Sequence, residues 1–313
     1  MASATLWSGW EWAVAECQLG VLGATSLVGE CLLPLLTQAG WRVAAFSRRQ
    51  TRQVGQVSEG VEWRRLSNPD FPSSASPKPL SAAGSLPLWI CVAPIWVLPE
   101  YFALLSAHGA RRVVALSSTS RFTKDDSSDL QERAVAHRLA DAEAHLQAWA
   151  EDHCVEWVIL RPTLIYGRGQ DKNIAEMARF IQRFGFFPLL GEAMGARQPV
   201  HAEDVALACL AGLHCAAAAN RAYNISGGET LPYREMVRRV FAALHLRPRL
   251  FAIPLAAFKS MLALLRCLPR YRHWSGGMAE RMNRDLVFDH TDAARDLGFS
   301  PRPFLLGQKD LPR

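Results

Sequence analysis

The sequence feature that most constrains the fold is a glycine-bounded turn, GATSLVG at residues 23–29, which joins an apolar run to a helical pattern. Before the turn, residues 18–22 have the composition of a short buried strand. After it, residues 27–39 repeat apolar side chains at helical spacing up to Gly40, and residues 41–46 form a second apolar run. Strands separated by a helix are parallel, because a tight hairpin joins only antiparallel strands. The sequence therefore predicts a βαβ unit at the start of an α/β fold.

The same alternation continues through the first half of the chain. Residues 88–93, 113–116 and 155–160 are continuous apolar runs, which is the pattern of strands covered by helices on both faces. Beyond residue 166 helical patterns dominate instead, at residues 173–184, 205–213 and 233–244. We predict a Rossmann-like, doubly wound parallel sheet in residues 1–166. Residues 167–313 are predicted to form a smaller, mainly helical substrate lobe, with possible exchange of strands between the two parts.

Composition excludes several classes of protein. Half of the 313 residues are hydrophobic and 20% are charged, so a disordered or fibrous chain is excluded. No run of about 18 uncharged apolar residues is present, and no basic segment opens the chain, which favours a cytoplasmic protein.

The seven cysteines form no CxxC pair, which is typical of reduced thiols and predicts no metal site. A net charge of +6 suits anionic small molecules, but no basic stripe alternates with aromatic residues, so we expect no nucleic acid partner. A homodimer is left open.

The turn at residues 23–29 has the pattern of a phosphate-binding turn. Backbone amides at a helix N-terminus can bind a pyrophosphate if the chain turns tightly before the helix. Gly23 permits the turn and Gly29 lets the helix approach the strand, while Ser26 stands where a glycine is more usual. A plain strand–helix turn is the alternative reading. The residues predicted to bind a dinucleotide here are Gly23, Thr25, Ser26, Leu27, Val28 and Gly29.

The end of the second predicted strand indicates which dinucleotide is bound. Enzymes that use NAD place an acidic residue there, against the ribose hydroxyl. This chain has Ser47, Arg48 and Arg49 instead. An arginine can hold a 2′-phosphate through charge-assisted hydrogen bonds. The sequence therefore predicts NADP as cofactor, with NAD possible, although a solvated basic loop would look the same.

Five segments in order resemble the extended, or atypical, short-chain dehydrogenase/reductase family, in its NAD-dependent epimerase/dehydratase branch. They are GATSLVG at 23–29, VVALSSTS at 113–120, LRPTLIYG at 160–167, RQPVHAEDVA at 197–206 and DHTDAARDLGFSP at 289–301. The resemblance implies further cofactor contacts from Val92, Ala93, Ser117, Pro162, Thr163 and Ile165. It also implies substrate contacts from Asn173 and Arg197, and a catalytic role for Thr119.

The chain departs from this family where its acid–base chemistry resides. The family uses a Tyr-x-x-x-Lys pair on the long helix, but no tyrosine occurs between Ser120 and Val155, and Lys124 is the one lysine there. The best register places Ala134 at the tyrosine position and Arg138 at the lysine position. Arg138 could keep the positive charge and the ribose contact, but no phenol remains to move a proton.

Two functions follow from the resemblance and this departure. The first is an NAD(P)-dependent oxidoreductase or epimerase-like enzyme, acting on a hydroxyl or carbonyl of a sugar nucleotide or related metabolite. Its proton would come from His137, Tyr166 or solvent, although we favour His137 as an exposed helix residue and Tyr166 as a residue packed at the end of a strand. The second is a non-catalytic NADP(H)-binding sensor or scaffold protein of the same fold.

An apolar segment with four cations lies near the C-terminus. Residues 258–268 are strongly apolar, and Lys259, Arg266, Arg270 and Arg272 accompany them without an acidic residue. A basic amphipathic helix of this kind can lie on an anionic membrane surface. We favour the alternative, a helix packed on the core with solvated arginines, and leave peripheral membrane contact as the less favoured possibility.

Overall fold

The computed structural model describes residues 18–48, 57–58, 60–66, 85–127, 129–254 and 281–312. Its centre is an eight-stranded sheet in the order β12-β7-β6-β5-β1-β2-β4-β3. Seven strands run parallel, and only the short β3 pairs antiparallel, with β4. The strands are β1 (Gln18–Leu22), β2 (Arg42–Ser47), β3 (Val57–Ser58), β4 (Val61–Arg65), β5 (Leu88–Cys91), β6 (Arg112–Leu116), β7 (Glu156–Pro162) and β12 (Arg221–Ile225).

Helices cover both faces of this sheet, which confirms the predicted Rossmann-like fold class. Helices α1 (Leu27–Gln38) and α6 (Ala202–His214) pack on one face. The other face carries a 3-10 turn at Ile95–Tyr101, which leads into α2 (Phe102–Ala107), and the long helix α4 (Leu130–Asp152). The short helix α3 (Ser120–Thr123) packs against α4. Strands enclosed in this way are apolar on both sides, which explains the continuous apolar runs in the sequence.

The order of the strands determines where a site can form. The chain leaves β1 toward β2 on one side, and β5 lies on the other side of β1. In doubly wound sheets, ligands bind outside the carboxyl ends of the strands at such a switch point. The loop after β1 and the loop after β5 therefore flank the expected site.

The residues after β7 form a region with a core of its own. It contains short strand pairs, β8 (Ile165–Tyr166) with β11 (Val200–His201), β10 (Ala196–Arg197) with β13 (Leu231–Pro232), and β9 (Phe187–Leu190) with β14 (Leu250–Ile253). Helices α5 (Ile174–Phe184) and α7 (Tyr233–Ala243) complete it, and their buried side chains form a separate apolar cluster. The division of the chain into two parts at residue 166 remains a prediction. β12 and α6 follow that residue in the chain but pack with the first part.

Two local details differ from the sequence expectation. The sequence also predicts a helix over residues 98–107, between two apolar runs, and in the structure this helix begins as a 3-10 turn, with Pro99 inside it, because proline cannot donate the helical hydrogen bond. The helix predicted from residue 205 begins at Ala202, because His201 caps it by accepting the Glu203 N–H at 3.2 Å.

Arg49 and the segment 258–268 with its four cations lie outside the described residues, as do Cys17 and Cys267. Within the described part of the chain, no helix is both long and apolar enough to cross a membrane. The cysteines of that part are all unbridged, with Cys31, Cys91 and Cys209 buried.

Candidate functional site

Two glycines determine the shape of the turn after β1. Gly23 has a φ of +83°, and a Cβ there would overlap the backbone nitrogen of Ala93, in the loop after β5. Gly29, in the first turn of α1, would carry a Cβ 2.5 Å from the carbonyl oxygen of Ala24. Any side chain at either position collides with backbone, so the tight turn depends on both glycines.

Ser26, at the position where a glycine is more usual, is the N-cap of α1. Its hydroxyl oxygen accepts the Gly29 N–H at 3.1 Å. The N–H groups of Leu27 and Val28 bond to no other group in the described chain. They lie at the positive end of a 12-residue helix. The serine therefore preserves an N-terminal site with two free amides for an anion.

A cavity of about 1180 Å³ opens above these amides. It runs from the N-terminus of α1 past the carboxyl ends of β5, β6 and β7 to the helices α5 and α7. Most of the site residues predicted from the sequence line it: Thr25, Ser26, Leu27, Val28, Val92, Ala93, Ser117, Thr119, Pro162, Thr163, Ile165, Asn173 and Arg197.

A second cavity, of about 640 Å³, adjoins the other side of the turn. Ser47 and Arg48 line it together with Gly23, as do Arg65 from β4 and Tyr101 from the 3-10 turn. No acidic residue is present in the described part of its lining. Two cations beside the phosphate turn suit a further phosphate group.

Tyr101 contributes a buried polar group to this second cavity. Its side chain is buried, and its hydroxyl has no hydrogen-bond partner among the described residues. Burial raises the pKa of this phenol, and the nearby Arg48 charge acts in the opposite direction. A buried hydroxyl without a partner is costly, so a ligand atom that bonds to it would be favoured. The glycine turn, the free amides and this hydroxyl together fit the phosphates and the adenosine of a dinucleotide.

Thr119 and Ser117 follow β6 and lie in the main cavity, where both are largely buried. The Thr119 hydroxyl donates to the carbonyl oxygen of Pro162 at 3.2 Å. The Ser117 hydroxyl donates to Glu143 of α4 at 2.5 Å. These bonds fix both side chains at the ends of β6 and β7.

Glu143 was not identified from the sequence. It is fully buried and is held by Arg161 at 2.6 Å and by Arg121. A buried carboxylate needs such partners, because its charge is otherwise strongly disfavoured. The cluster fastens α4 to the strands that carry Ser117 and Thr119. The one sequence signal was an acidic residue on the inward face of an amphipathic helix.

The structure does not bring Arg138 to the cavity. Its side chain is exposed, and its guanidinium lies 4.7 Å from the centre of the Trp96 ring. Ala134 is exposed as well, and the more buried pair at this level of α4 is Val135 and Leu139. The positions predicted for the tyrosine and the lysine, Ala134 and Arg138, therefore face solvent. The inward-facing positions, Val135 and Leu139, come one residue later in the sequence.

The other residues considered as proton donors also lie away from the cavity lining. His137 is exposed and lies 3.9 Å from Asp125. Tyr166 is fully buried, donates to the Leu305 carbonyl oxygen at 3.3 Å, and has its pKa raised by burial to about 12. A phenol in this setting keeps its proton.

Lys124 lines the main cavity, five residues after Thr119. It is half-buried, and its ammonium group forms no ion pair or hydrogen bond with the rest of the described chain. Burial lowers its pKa, and the Arg281 charge lowers it further. As the one lysine between residues 120 and 155, Lys124 was visible in the sequence, but only the fold shows that it borders the cavity.

The two predicted substrate contacts differ in their surroundings. Asn173 is exposed at the cavity rim, where Asp171 accepts the first backbone N–H groups of α5. Arg197 is buried and donates to the carbonyl oxygens of Arg284, at 2.8 Å, and Arg281. Its guanidinium therefore ties the C-terminal segment to the cavity wall. Among the described residues, no cluster of histidine, cysteine and acidic side chains could hold a metal ion.

Comparison with known proteins agrees with this geometry. Residues 101–226 match the model of the NAD dependent epimerase/dehydratase family. A UDP-glucose 4-epimerase of Vibrio cholerae is 25% identical over 52% of this chain, a match that spans only 47% of the epimerase. A 2-alkyl-3-oxoalkanoate reductase of Stenotrophomonas maltophilia is 28% identical over 72% of this chain and 74% of the reductase.

Solved structures show the same fold. MoeE5 in complex with UDP-glucose and NAD superimposes with a TM-score of 0.65 at 21% identity, covering 92% of this chain and 94% of MoeE5. The predicted resemblance to the epimerase/dehydratase branch of the short-chain dehydrogenases is thereby confirmed. The segment that matches the family model, residues 101–226, carries Thr119, Lys124 and the strand ends around them.

Proposed function

We propose that this chain binds NADP(H) and acts as an oxidoreductase on a hydroxyl or carbonyl carbon. The observation that carries the proposal is the continuity of the main cavity. It extends from the free amides of Leu27 and Val28 to the hydroxyl of Thr119. A dinucleotide held at its phosphates by the first end reaches the second end with its nicotinamide.

The preference for NADP(H) rests on the second cavity. Arg48 and Arg65 line it, and the carboxylate that would contact a ribose hydroxyl is missing from its described wall. Arg49 stays part of this prediction from the sequence alone. MoeE5 was crystallised with NAD, so the preference is a property that we propose for this chain and not for its neighbours.

The protein groups near the reacting carbon have distinct roles in this proposal. A bound nicotinamide supplies or removes a hydride. Thr119 positions the substrate oxygen. To donate a hydrogen bond to that oxygen, the Thr119 hydroxyl rotates away from the carbonyl oxygen of Pro162. Lys124 is the half-buried cation on the same wall, and it stabilises negative charge on that oxygen and can return a proton to it.

Two substrate classes are suggested by the names of the relatives. MoeE5 and the Vibrio cholerae enzyme act on or bind UDP-glucose by name, and the Stenotrophomonas maltophilia reductase acts on an alkyl oxoalkanoate by name. Both compounds contain a hydroxyl or carbonyl carbon. Asn173 and Arg197, on the far side of the cavity from the turn, are the proposed substrate contacts.

The experiment is to follow NADPH oxidation with a panel of sugar nucleotides and alkyl ketones, using the wild type and Thr119→Ala. We expect Thr119→Ala to reduce turnover about a hundredfold or more while leaving NADPH affinity nearly unchanged. Thr37→Ala, at a half-buried threonine of α1 outside both cavities, is the matched control. Equal turnover in Thr119→Ala and the wild type would remove Thr119 from the mechanism.

A non-catalytic NADP(H)-binding protein is the second candidate. The observation that favours it is the inner face of α4, where Val135 and Leu139 present no phenol or ammonium group. Tight NADPH binding without turnover of any compound in the panel is the outcome expected of a sensor or scaffold.

A further inference from the structure

The half of the main cavity farthest from the phosphate turn has an apolar wall. Helices α5 and α7, strand β9 and the segment 282–288 contribute to it. Methionine side chains adapt their shape to apolar ligands, and aromatic rings offer large apolar faces. The side chains that form this wall are Met177, Phe180, Phe187, Met236, Met282 and Phe288.

The charged groups of the cavity do not form a diphosphate site. Among the described lining residues, four are basic and three are acidic. Arg197 donates to backbone carbonyls of Ala196, Arg281 and Arg284, and lies over the Tyr233 ring at 5.6 Å. These bonds use three of its five N–H groups and hold the guanidinium against the protein backbone, so Arg197 is already engaged in part before any phosphate binds.

The second arginine of the cavity is neutralised as well. Arg281 forms an ion pair with Glu132, which also lines the cavity. The basic groups left without a partner are Lys124, half-buried beside Thr119, and Lys172, exposed at the rim. Single ammonium groups apart from each other suit one carboxylate or one carbonyl oxygen better than a diphosphate.

We propose that the substrate of this cavity is a carbonyl or hydroxyl compound with an alkyl or acyl chain, and not a sugar nucleotide. The chain lies against the methionines and phenylalanines of the wall, and the polar end of the molecule lies near Thr119 and Lys124. The proposal rests on the proposed oxidoreductase function, since it names the substrate class of the same site. It does not depend on turnover, because the apolar wall predicts binding by itself.

The test measures binding of straight-chain carboxylates below their micelle concentrations by calorimetry. Hexanoate, octanoate and decanoate are titrated into the full-length protein saturated with NADPH, and UDP-glucose is titrated in parallel. Burying one more methylene group strengthens binding about fourfold, so we expect affinity to rise from hexanoate to decanoate. UDP-glucose is expected to produce no measurable heat of binding.

Phe180 and Phe184 provide a matched pair of variants on α5. Phe180 lines the cavity, whereas Phe184 is 50% exposed and lies outside the cavity lining. Phe180→Ser is expected to weaken decanoate binding about tenfold, and Phe184→Ser to leave it unchanged. Thermal unfolding and NADPH titration of both variants show whether either has lost its fold.

The outcomes separate this proposal from the proposed function. NADPH binding together with no increase in affinity from hexanoate to decanoate would overturn the substrate class and leave the cofactor proposal intact. Binding of UDP-glucose in preference to decanoate would overturn it as well, as would equal decanoate affinity in Phe180→Ser and Phe184→Ser. Failure to bind NADPH, with the carboxylate series behaving as expected, would instead refute the proposed function and support the apolar site.

Discussion

The two ends of the main cavity differ in how closely they follow the family pattern. At the phosphate end, Gly23, Gly29 and the N-terminus of α1 form the expected turn, and Ser26 replaces a glycine by serving as the N-cap. At the chemical end, α4 presents Val135 and Leu139 to the interior, and Lys124 lies on the wall instead. The difference teaches that the shape of a backbone turn tolerates a change of side chain as long as the glycines that permit the turn remain. A pair of reacting side chains has no such tolerance, because each position must carry its own functional group.

Gly23→Val tests whether the turn after β1 is a binding site for the cofactor. In Gly23→Val a Cβ would overlap the backbone of Ala93, and the residue would be held at a positive φ. We expect NADPH affinity to fall more than a hundredfold, together with a lower melting temperature. Gly40→Ala is the matched control, because Gly40 has a φ of +84° but no atom within 4 Å of a Cβ there. That variant should lose about 1 kcal/mol of stability and keep its NADPH affinity.

Arg48→Ala tests whether the second cavity selects NADPH over NADH. Charge-assisted hydrogen bonds contribute about 1.5–3 kcal/mol, so Arg48→Ala should weaken NADPH binding about tenfold to a hundredfold and leave NADH binding nearly unchanged. Arg64→Ala is the control, since Arg64 is paired with Glu62 at 2.9 Å and does not line the second cavity. Equal losses for NADPH and NADH would argue against a 2′-phosphate site.

Lys124 tests the chemical end through pH. Burial and Arg281 lower its pKa, whereas Asp129 acts in the opposite direction, and Glu132 is paired with Arg281. Protonated Lys124 attracts a carboxylate and neutral Lys124 does not. Decanoate affinity should therefore fall several-fold as pH rises, below the value of about 10.4 at which an exposed lysine titrates.

The control for the pH experiment is Lys172→Met, which removes an exposed lysine from the rim of the same cavity. Lys124→Met should bind decanoate more weakly and with little dependence on pH, while Lys172→Met should follow the wild type. The same pH dependence in Lys124→Met as in the wild type would show that another group is responsible.

The smallest expected effect concerns Ser26. Ser26→Ala removes the N-cap bond and should lower stability by about 1 kcal/mol, while Ser26→Gly should cost only a few tenths. NADPH affinity should change less than threefold in either variant, because the amides of Leu27 and Val28 remain in place. A large loss of affinity in Ser26→Gly would mean that the serine hydroxyl itself contacts the ligand.

The sequence predicted the fold and the tight turn after β1 because both depend on local signals. Strand β1, for example, was predicted with the bounds seen in the structure, since an apolar run that ends at a glycine specifies a strand and its turn. The residues around Thr119 were found through the resemblance. They follow directly after strands, whose ends meet at one edge of a parallel sheet.

The residues that sequence reasoning missed come together only through tertiary packing. Arg65 reaches the second cavity from the end of β4 and Tyr101 from the 3-10 turn, and Glu143 of α4 meets Arg161 of β7. The position of Arg138 depended on which of two neighbouring helix faces is buried. Helical periodicity in the sequence does not distinguish two helix faces that are offset by one residue. Packing of α4 against the 3-10 turn determines which face is buried.

The most direct test of the account is calorimetric titration of the full-length protein with NADPH and with NADH. The free amides of α1, the partnerless Tyr101 hydroxyl and the two arginines of the second cavity predict that NADPH binds with a 1:1 stoichiometry and at least tenfold more tightly than NADH. Binding of neither nucleotide would contradict the central claim, which is that the turn after β1 and the two cavities beside it bind a dinucleotide.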